Sequence, residues 1–276
     1  SGHNEKNYNL ERVYAISHDG KKIPISIIKR KDTPKNAPTL LYGYGSYGIS
    51  IPPSFSVSRL SLIDRGMVYA IAHIRGGMEK GKKWYEDGKK KNKLNSFKDF
   101  ITCAEFLKKE NISENITIHG GSAGGLLIGA SINISPDTFH CAVAEVPFVD
   151  VLNTILDDTL PLTPPEWEEW GNPIKNKSDF DYIGSYSPYD NIKEQNYPTI
   201  LATSGLTDPR VTYWEATKWI AKLRSKKTND NPIFLKTYTE AGHGGMAGRY
   251  NQIRETAFIY AFILWRNNLI KRSFSS

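Results

Sequence analysis

The chain has 276 residues, a net charge of +7 and 39% hydrophobic residues, which is typical of one globular domain with a large core and excludes a largely disordered chain. Its apolar runs are shorter than the roughly 20 residues that a membrane-spanning helix needs. The basic residues are dispersed without a nucleic-acid-binding motif. We therefore expect neither a membrane nor a nucleic acid as a partner.

The cysteines and the N-terminus indicate the compartment and the domain limits. Cys103 and Cys141 are too few for a disulfide framework and lie in apolar stretches, which predicts buried thiols in a reducing, cytoplasmic compartment. The polar N-terminus lacks the apolar core of a signal peptide. Residues 1–3 resemble the remnant of an expression tag, so a single domain is assigned to residues 4–276.

The first half of the chain predicts a hairpin followed by alternating strands and helices. Asp19-Gly20 is a turn signal between two β-rich runs. A helix is predicted to start at Ser96, where Ser-x-x-Asp resembles a capping box. The basic segment 79–93 predicts a solvated loop, with a contact surface for another domain as the alternative. Strands are predicted at residues 13–17, 21–30, 38–48 and 67–77, and helices at residues 55–66 and 96–110.

The second half continues this alternation. Residues 157–190, rich in Pro, Trp, Asp and Gly, predict an irregular excursion over the sheet. The alternation as a whole predicts an α/β fold with a mostly parallel central sheet, helices on both faces and the hairpin at one edge. Strands are predicted at residues 116–119, 141–148, 197–205 and 232–245, and helices at residues 126–134, 211–225 and 249–269.

A glycine-rich serine motif stands between a predicted strand and a predicted helix. The sequence Gly-Gly-Ser-Ala-Gly around Ser122 matches G-x-S-x-G, which presents a serine on a sharp strand-to-helix turn. The following helix directs N–H groups to the place where negative charge develops. The motif predicts that Ser122 is a nucleophile. A glycine-rich turn that serves only close packing is the alternative.

A serine nucleophile needs a base, and in this architecture an acid and a histidine follow the serine in that order. His243 is the only histidine after residue 140, and it lies in a glycine-flanked loop behind a predicted strand. Asp208 follows the preceding strand and is the preferred acid. Asp150 belongs to an earlier strand and Asp190 precedes the relevant one, so both are weaker alternatives. Asp208 would fix the tautomer of His243 and stabilise the imidazolium.

Further motifs carry a family resemblance that extends from about residue 40 to the C-terminus. They are LLYGYGSYG, FSVSRLSLIDRG, AHIRGG, WYEDGK, GGSAGG, VPFVDVL, LPLT, EWEEWGNP, YSPYDN, GLTDPRV, YWEATKW and GHGG. With them, the chain resembles the catalytic domain of the prolyl oligopeptidase family of serine peptidases, specifically its oligopeptidase B (protease II) branch. The resemblance implies an α/β-hydrolase fold, cleavage of short peptides, and neither a cofactor nor a metal.

The resemblance also assigns catalytic roles. It implies a triad of Ser122, Asp208 and His243, and an oxyanion hole made by the backbone N–H of Ala123 and the hydroxyl of Tyr44. A phenol donates more strongly to an alkoxide than to a carbonyl, and one such donor contributes roughly 3–4 kcal/mol of transition-state stabilisation. Without the resemblance, Tyr44 would be read as a loop aromatic that packs on the sheet.

Substrate recognition is assigned to the segment PPEWEEWGNP. Glu166 and Glu168 match the paired glutamates by which the oligopeptidase B branch recognises Arg or Lys before the scissile bond, through charge-assisted hydrogen bonds. Without the resemblance, these acids predict only a solvated loop. Arg210 matches the residue that binds a substrate carbonyl in prolyl oligopeptidase. Tyr47 and Trp170 are expected to line the same pocket.

The chain departs from the family pattern in two ways. The stretch ISIPPSFS lacks the carboxylates that the branch often carries there, so a second basic preference is not expected. The family's N-terminal β-propeller is absent from residues 4–276. We expect these residues to be a fragment whose covalently linked propeller is its partner, with a propeller-less relative as the alternative. The family's size filter should then be missing, and activity could be low.

The combined prediction is a serine oligopeptidase domain that hydrolyses short basic peptides after Arg or Lys through an acyl-enzyme on Ser122. His243 acts first as base and then as acid. A general carboxylesterase or an acyl- or aminopeptidase on the same fold is the enzymatic alternative, since fold does not fix substrate. An inactive binding or assembly domain, or a fragment inactive without its propeller, is the other.

Overall fold

The computed structural model describes residues 4–270, and its elements follow the predicted alternation of strands and helices. Residues 1–3, interpreted as a tag remnant, lie outside the described residues. The strands are β1 (Tyr8–Ile16), β2 (Lys22–Arg30), β3 (Thr39–Tyr42), β4 (Val68–Ala72), β5 (Ile116–Gly121), β6 (Cys141–Glu145), β7 (Thr199–Gly205) and β8 (Ile233–Tyr238). The helices are α1 (Val57–Ile63), α2 (Lys82–Glu86), α3 (Leu94–Lys109), α4 (Ala123–Ile134), α5 (Val151–Leu156), α6 (Thr163–Trp170), α7 (Lys177–Tyr186), α8 (Tyr213–Lys226) and α9 (Arg249–Arg266).

The strands form one sheet in the order β1-β2-β4-β3-β5-β6-β7-β8. From β4 to β8 all neighbours are parallel, whereas β1 and β2 form an antiparallel hairpin and β2 pairs antiparallel with β4. The predicted mostly parallel sheet with antiparallel strands at one edge is confirmed. Because parallel strands end at the same edge, the loops after β5, β7 and β8 meet there.

The core occupies both faces of the sheet. Side chains of α3, α4 and α8 pack on one face, and those of α1 and α9 pack on the other. Successive strand residues alternate between these faces, since Leu40 belongs to the α1 side and Leu41 to the α3 side. The prediction of helices on both faces is confirmed.

The predicted irregular excursion at residues 157–190 is wrong, because it contains helices α6 and α7. The prolines of α6 lie in its first turn, where a missing backbone N–H costs no intrahelical hydrogen bond. Its C-cap Gly171 has φ of 106° and ends the helix. The residues that suggested irregular chain therefore mark the two ends of a helix.

The predicted solvated loop at residues 79–93 is also wrong in part. The segment contains α2, from which Trp84 enters the core, and it ends in Lys93, whose relative exposure is only 1%. Burial lowers the pKa of Lys93 to about 8, although the negative charge of Glu169 opposes this shift. One member of the basic run is thus an interior residue.

The capping box predicted at Ser96 is wrong, because α3 begins two residues earlier at Leu94. Ser96 is buried, and its hydroxyl donates to the carbonyl of Arg75 at 2.6 Å. Asp99 is buried as well, and its carboxylate accepts two hydrogen bonds from the guanidinium of Arg75, at 2.7 and 2.8 Å. These two polar residues hold the chain that follows β4 instead of capping a helix.

The cysteines agree with the sequence prediction, since Cys103 and Cys141 are both buried free thiols. Burial raises the pKa of Cys141 to about 12, so its thiol is inert as a nucleophile. Within residues 4–270, no helix combines the length and the apolar character that crossing a lipid bilayer requires.

Candidate active site

Ser122 forms the sharp turn between β5 and α4. Its backbone has φ of 55° and ψ of −117°, a conformation that costs a residue with a side chain of the order of 1–3 kcal/mol. The surrounding chain holds it there. The N–H of Ser122 donates to the carbonyl of Glu145 at 2.8 Å, and its carbonyl accepts the N–H of Phe148 at 3.0 Å.

The glycines around Ser122 are required by close backbone contacts. A Cβ on Gly120 would lie 2.4 Å from the carbonyl oxygen of Gly124, and one on Gly125 would lie 2.5 Å from Pro147. Both distances are far inside van der Waals contact, so any side chain would displace the turn. The serine turn therefore has the geometry that the G-x-S-x-G motif predicts.

The structure brings the three predicted triad residues within hydrogen-bonding distance. Nε2 of His243 lies 3.1 Å from Oγ of Ser122, and Nδ1 of His243 lies 2.7 Å from Oδ2 of Asp208. The alternative acid Asp150 instead pairs with Lys218 at 2.6 Å. The three side chains come from the loops after β5, β7 and β8, which meet at the carboxyl edge of the sheet.

The environment of Asp208 favours its charged form. Burial opposes ionisation, but the hydrogen bond from His243 and the backbone N–H groups of Val211 and Arg210 outweigh it and lower the pKa of Asp208. A charged Asp208 keeps the proton of the neutral imidazole on Nδ1. Nε2 is then free to accept the proton of Ser122.

The two predicted oxyanion donors lie beside the nucleophile. The N–H of Ala123 is the first of α4 and so has no partner within its helix. Tyr44 lines the same cavity as Ser122. Its hydroxyl has no hydrogen-bond partner among residues 4–270. Burial raises the pKa of Tyr44 to about 12, which keeps the phenol protonated and able to donate at neutral pH.

A cavity of about 460 Å³ opens onto Ser122 and His243 and is lined in part by Glu166. Oε2 of Glu166 accepts the hydroxyl of Tyr47 at 2.7 Å and the indole N–H of Trp170 at 2.6 Å. Its Oε1 has no hydrogen-bond partner in the described part of the chain. The remaining wall is largely apolar, with contributions from Ile49, Phe148, Ile155, Leu160, Leu162 and Val211.

The other predicted recognition residues have different positions. Tyr47 and Arg210 line the cavity, as predicted. Trp170 does not line it, because its ring is buried behind the wall, from where it holds Glu166. Glu168 does not line it either. Its side chain is 87% exposed and lies 3.3 Å from Lys90.

The rotation of α6 explains why Glu168 points away. With 3.6 residues per turn, residues at i+3 and i+4 share a face with residue i, whereas i+2 lies nearly opposite. The second carboxylate on the face of Glu166 is therefore Glu169, which is only 4% exposed. It accepts the N–H of Tyr47 at 2.8 Å and the hydroxyl of Tyr85. Sequence reasoning missed Glu169 because it missed the helix.

A further residue that the sequence did not reveal is Glu215, on α8. Its Oε1 accepts the N–H groups of Val149 and Asp150 at 3.1 and 2.8 Å, which fixes the chain next to Phe148 in the cavity wall. Burial raises the pKa of Glu215 to about 8. Across residues 4–270, no group of three or more His, Cys, Asp or Glu residues is placed to hold a metal ion.

The fold and the site together define a class of protein. A serine on a strand-to-helix turn, a histidine and a buried aspartate lie at the carboxyl edge of a mostly parallel sheet, in the chain order of the α/β hydrolases. These are the features of a serine hydrolase with the α/β-hydrolase fold.

Comparison with known proteins identifies the family. The family model described as "Prolyl oligopeptidase family" matches residues 53–268. The chain is 49% identical to dipeptidyl aminopeptidase BI of Pseudoxanthomonas mexicana, covering 95% of this chain and 37% of the relative. It is 46% identical to protease 2 of Moraxella lacunata, covering 93% of this chain and 38% of the relative. The chain belongs to the prolyl oligopeptidase family.

Solved structures agree with this assignment. Oligopeptidase B from Leishmania major superposes with a TM-score of 0.96 at 47% identity, over 100% of this chain and 39% of that protein. Oligopeptidase B from Trypanosoma brucei with covalently bound antipain gives 0.95 at 49% identity, over 98% of this chain and 39% of that protein. The predicted α/β-hydrolase fold and the resemblance to oligopeptidase B are confirmed. The chain spans less than two fifths of the length of these relatives.

Proposed function

We propose that this chain hydrolyses short peptides after Arg or Lys through an acyl-enzyme on Ser122. The observation that carries the proposal is Glu166, which lines the cavity that opens onto Ser122 and His243 and whose Oε1 has no hydrogen-bond partner among residues 4–270. A guanidinium or ammonium group entering this cavity would complete the hydrogen bonding of Glu166. A neutral side chain would leave that charge unpaired.

The geometry supports the following reaction. Oγ of Ser122 attacks the carbonyl carbon while Nε2 of His243 takes its proton. The Tyr44 hydroxyl and the Ala123 N–H bind the resulting oxyanion. The C–N bond breaks, His243 protonates the leaving amine, and the acyl group stays on Ser122. A water molecule, deprotonated by His243, then attacks the ester carbonyl, the bond to Oγ of Ser122 breaks, and His243 returns the proton to Oγ as the acid leaves.

Arg210 supports binding of the substrate backbone. It follows Asp208 by two residues, and its exposed side chain borders the cavity near Tyr44. Its guanidinium has no hydrogen-bond partner among residues 4–270. We assign it to the carbonyl group of the substrate residue next to the basic one.

The decisive experiment uses two neighbouring glutamates of α6. Glu166→Gln should lower kcat/KM for an arginyl amide about 100-fold, corresponding to about 2.7 kcal/mol, while leaving hydrolysis of a neutral acyl ester unchanged. Glu168→Gln, on the outer face, is the matched variant and should change either rate less than twofold. Ser122→Ala should abolish both activities. Retention of the arginine preference by Glu166→Gln would refute the recognition site.

A second candidate is an aminopeptidase, since a relative at 49% identity is named dipeptidyl aminopeptidase BI. An aminopeptidase needs the free α-amino group of its substrate, whereas an oligopeptidase does not. Comparing a dipeptidyl-arginyl amide with its N-acetylated form separates the two. Equal turnover favours the oligopeptidase, and loss of turnover on acetylation favours the aminopeptidase.

We also propose that an N-terminal β-propeller, covalently linked, covers this active site in the full-length protein. The proposal rests on the family resemblance and on the share of the relatives' length that this chain spans. Exposed apolar side chains that line the cavity, among them Leu162 and Ile49, are compatible with a covering domain. Residues 4–276 alone should therefore cleave unfolded casein as well as short peptides. Strict rejection of casein would contradict this.

A further inference from the structure

The loop that carries Tyr44 has a strained backbone. Between β3 and the segment that follows, Gly45, Tyr47 and Gly48 have φ values of 74°, 58° and 65°. Glycine adopts this left-handed region freely, but an aromatic residue such as Tyr47 rarely does. Such a conformation persists only where the surrounding structure holds it.

Two buried charged side chains hold this loop. Nζ of Lys93 donates to the carbonyl of Gly45 at 2.5 Å and to the hydroxyl of Ser46 at 3.0 Å. Oε1 of Glu169 accepts the N–H of the strained Tyr47 at 2.8 Å. Charged groups are seldom buried this deeply unless they are hydrogen-bonded, and here their partners are mainly atoms of the loop.

Glu169 also connects the loop to the recognition helix. It lies three residues after Glu166 on the same face of α6. Tyr47 is therefore bound to this helix twice, through its N–H to Glu169 and through its hydroxyl to Glu166. The ring of Tyr47 lies 6.4 Å from that of Tyr44. A shift of α6 relative to the loop would move both the recognition carboxylate and the oxyanion donor.

We propose that Glu169 and Lys93 are positioning residues that fix the Tyr44 hydroxyl in the oxyanion hole and tie it to the pocket of Glu166. The inference deepens the proposed function and rests on it. Neither side chain lines the cavity, so neither binds substrate. Their removal should misplace a donor that acts mainly in the transition state, which lowers kcat more than it changes KM.

The test is a double-mutant cycle between Glu169 and Tyr44, with kcat measured for an arginyl amide and for p-nitrophenyl butyrate. Tyr44→Phe alone should lower kcat about 100-fold or more. For p-nitrophenyl butyrate, which does not depend on the position of Glu166, Glu169→Ala alone should lower kcat about 10-fold or more, with KM within about twofold, since a misplaced donor keeps part of its effect. In the Tyr44→Phe background, Glu169→Ala should cost less than twofold, because no hydroxyl remains to be positioned. Lys93→Met should behave in the same way.

Equal losses in the two backgrounds, or an unchanged kcat for Glu169→Ala, would overturn the inference. Glu169→Met has a similar side-chain volume but no oxygen acceptor for the N–H of Tyr47, and it provides the same cycle if the alanine variant does not fold, as judged by circular dichroism. Glu86→Gln, an exposed residue of α2, is the control. The butyrate ester does not need Glu166. Non-additive losses on the ester without any cleavage of arginyl amides would therefore refute the proposed function and retain the positioning role.

Discussion

The substitution Asp208→Asn would exchange one buried carboxylate oxygen for an amide nitrogen without changing the volume of the side chain. Oδ1 of Asp208 accepts the N–H groups of Arg210 and Val211 at 2.8 and 3.0 Å, so the amide oxygen must occupy this position. The NH₂ group then replaces Oδ2, which lies 2.7 Å from Nδ1 of His243. Because Nδ1 must now accept a hydrogen bond, the imidazole proton moves to Nε2, 3.1 Å from Ser122.

The size of the effect follows from this change of tautomer. A protonated Nε2 cannot take the proton of Ser122, and loss of this base costs about 10⁴-fold in kcat, or about 5.5 kcal/mol. Stability should change in a pH-dependent way. The lowered pKa of Asp208 stabilises the folded state above the pKa that this group has in the unfolded chain, and this contribution is lost as the pH falls through the folded-state pKa. The asparagine variant should therefore lack this contribution at neutral pH.

The assay combines kcat for an arginyl amide with the rate of labelling by a fluorophosphonate, which needs the activated serine but no recognition pocket. Asp150→Asn is the matched control, because Asp150 is buried but pairs with Lys218. Its kcat should change less than twofold. A loss of less than tenfold for Asp208→Asn, or an equal loss for the control, would refute the assignment of Asp208 as the acid of the triad.

Three further predictions concern stability, measured by urea unfolding. Gly120→Ala should cost about 3 kcal/mol because its Cβ would meet a backbone carbonyl at 2.4 Å, whereas Gly184→Ala, with its nearest contact at 3.6 Å, should gain about 0.5–1 kcal/mol. Arg75→Met should cost about 3–5 kcal/mol, since it leaves the fully buried carboxylate of Asp99 without its cationic partner. The raised pKa of Glu215 means that stability falls as the pH rises from about 5 to about 8, by up to about 1.4 kcal/mol per pH unit. Glu215→Gln should flatten this slope, whereas the exposed Glu114→Gln should not; an unchanged slope would contradict the burial argument.

The proposed triad could be found from the sequence because its geometry follows from chain order. Ser122 has a local motif in which Gly120 and Gly124 each make a close backbone contact. Asp208 and His243 follow strands that proved to be parallel neighbours in the sheet. The ends of parallel neighbours meet at one edge, so three residues distant in sequence could be placed together before any coordinates were known.

The proposed recognition site could not be derived from the sequence in the same way. Whether Glu168 or Glu169 shares the inner face of α6 with Glu166 depends on the rotation of the helix, and the prolines and the glycine at the ends of α6 concealed that helix. Lys93 stands in a run of lysines that are otherwise solvent-accessible, and nothing in its local sequence distinguishes the buried member. Its burial is decided by contacts with the distant loop at Gly45.

Residues 157–190 carry the carboxylate proposed to recognise the substrate, and the residues of the proposed triad lie outside this segment. The residues of the proposed triad lie on the loops after β5, β7 and β8, whereas the carboxylate proposed to recognise the substrate lies on α6, in the connection between β6 and β7. Exchange of residues 157–190 would leave in place the hydrogen bonds that Ser122 makes with Glu145 and Phe148. An incoming segment must still supply the acceptor for the N–H of Tyr47 and core side chains in place of Trp170, Ile183 and Tyr186. We therefore expect that a change of substrate selectivity requires exchange of the whole segment, including an acceptor in place of Glu169, rather than replacement of single pocket residues.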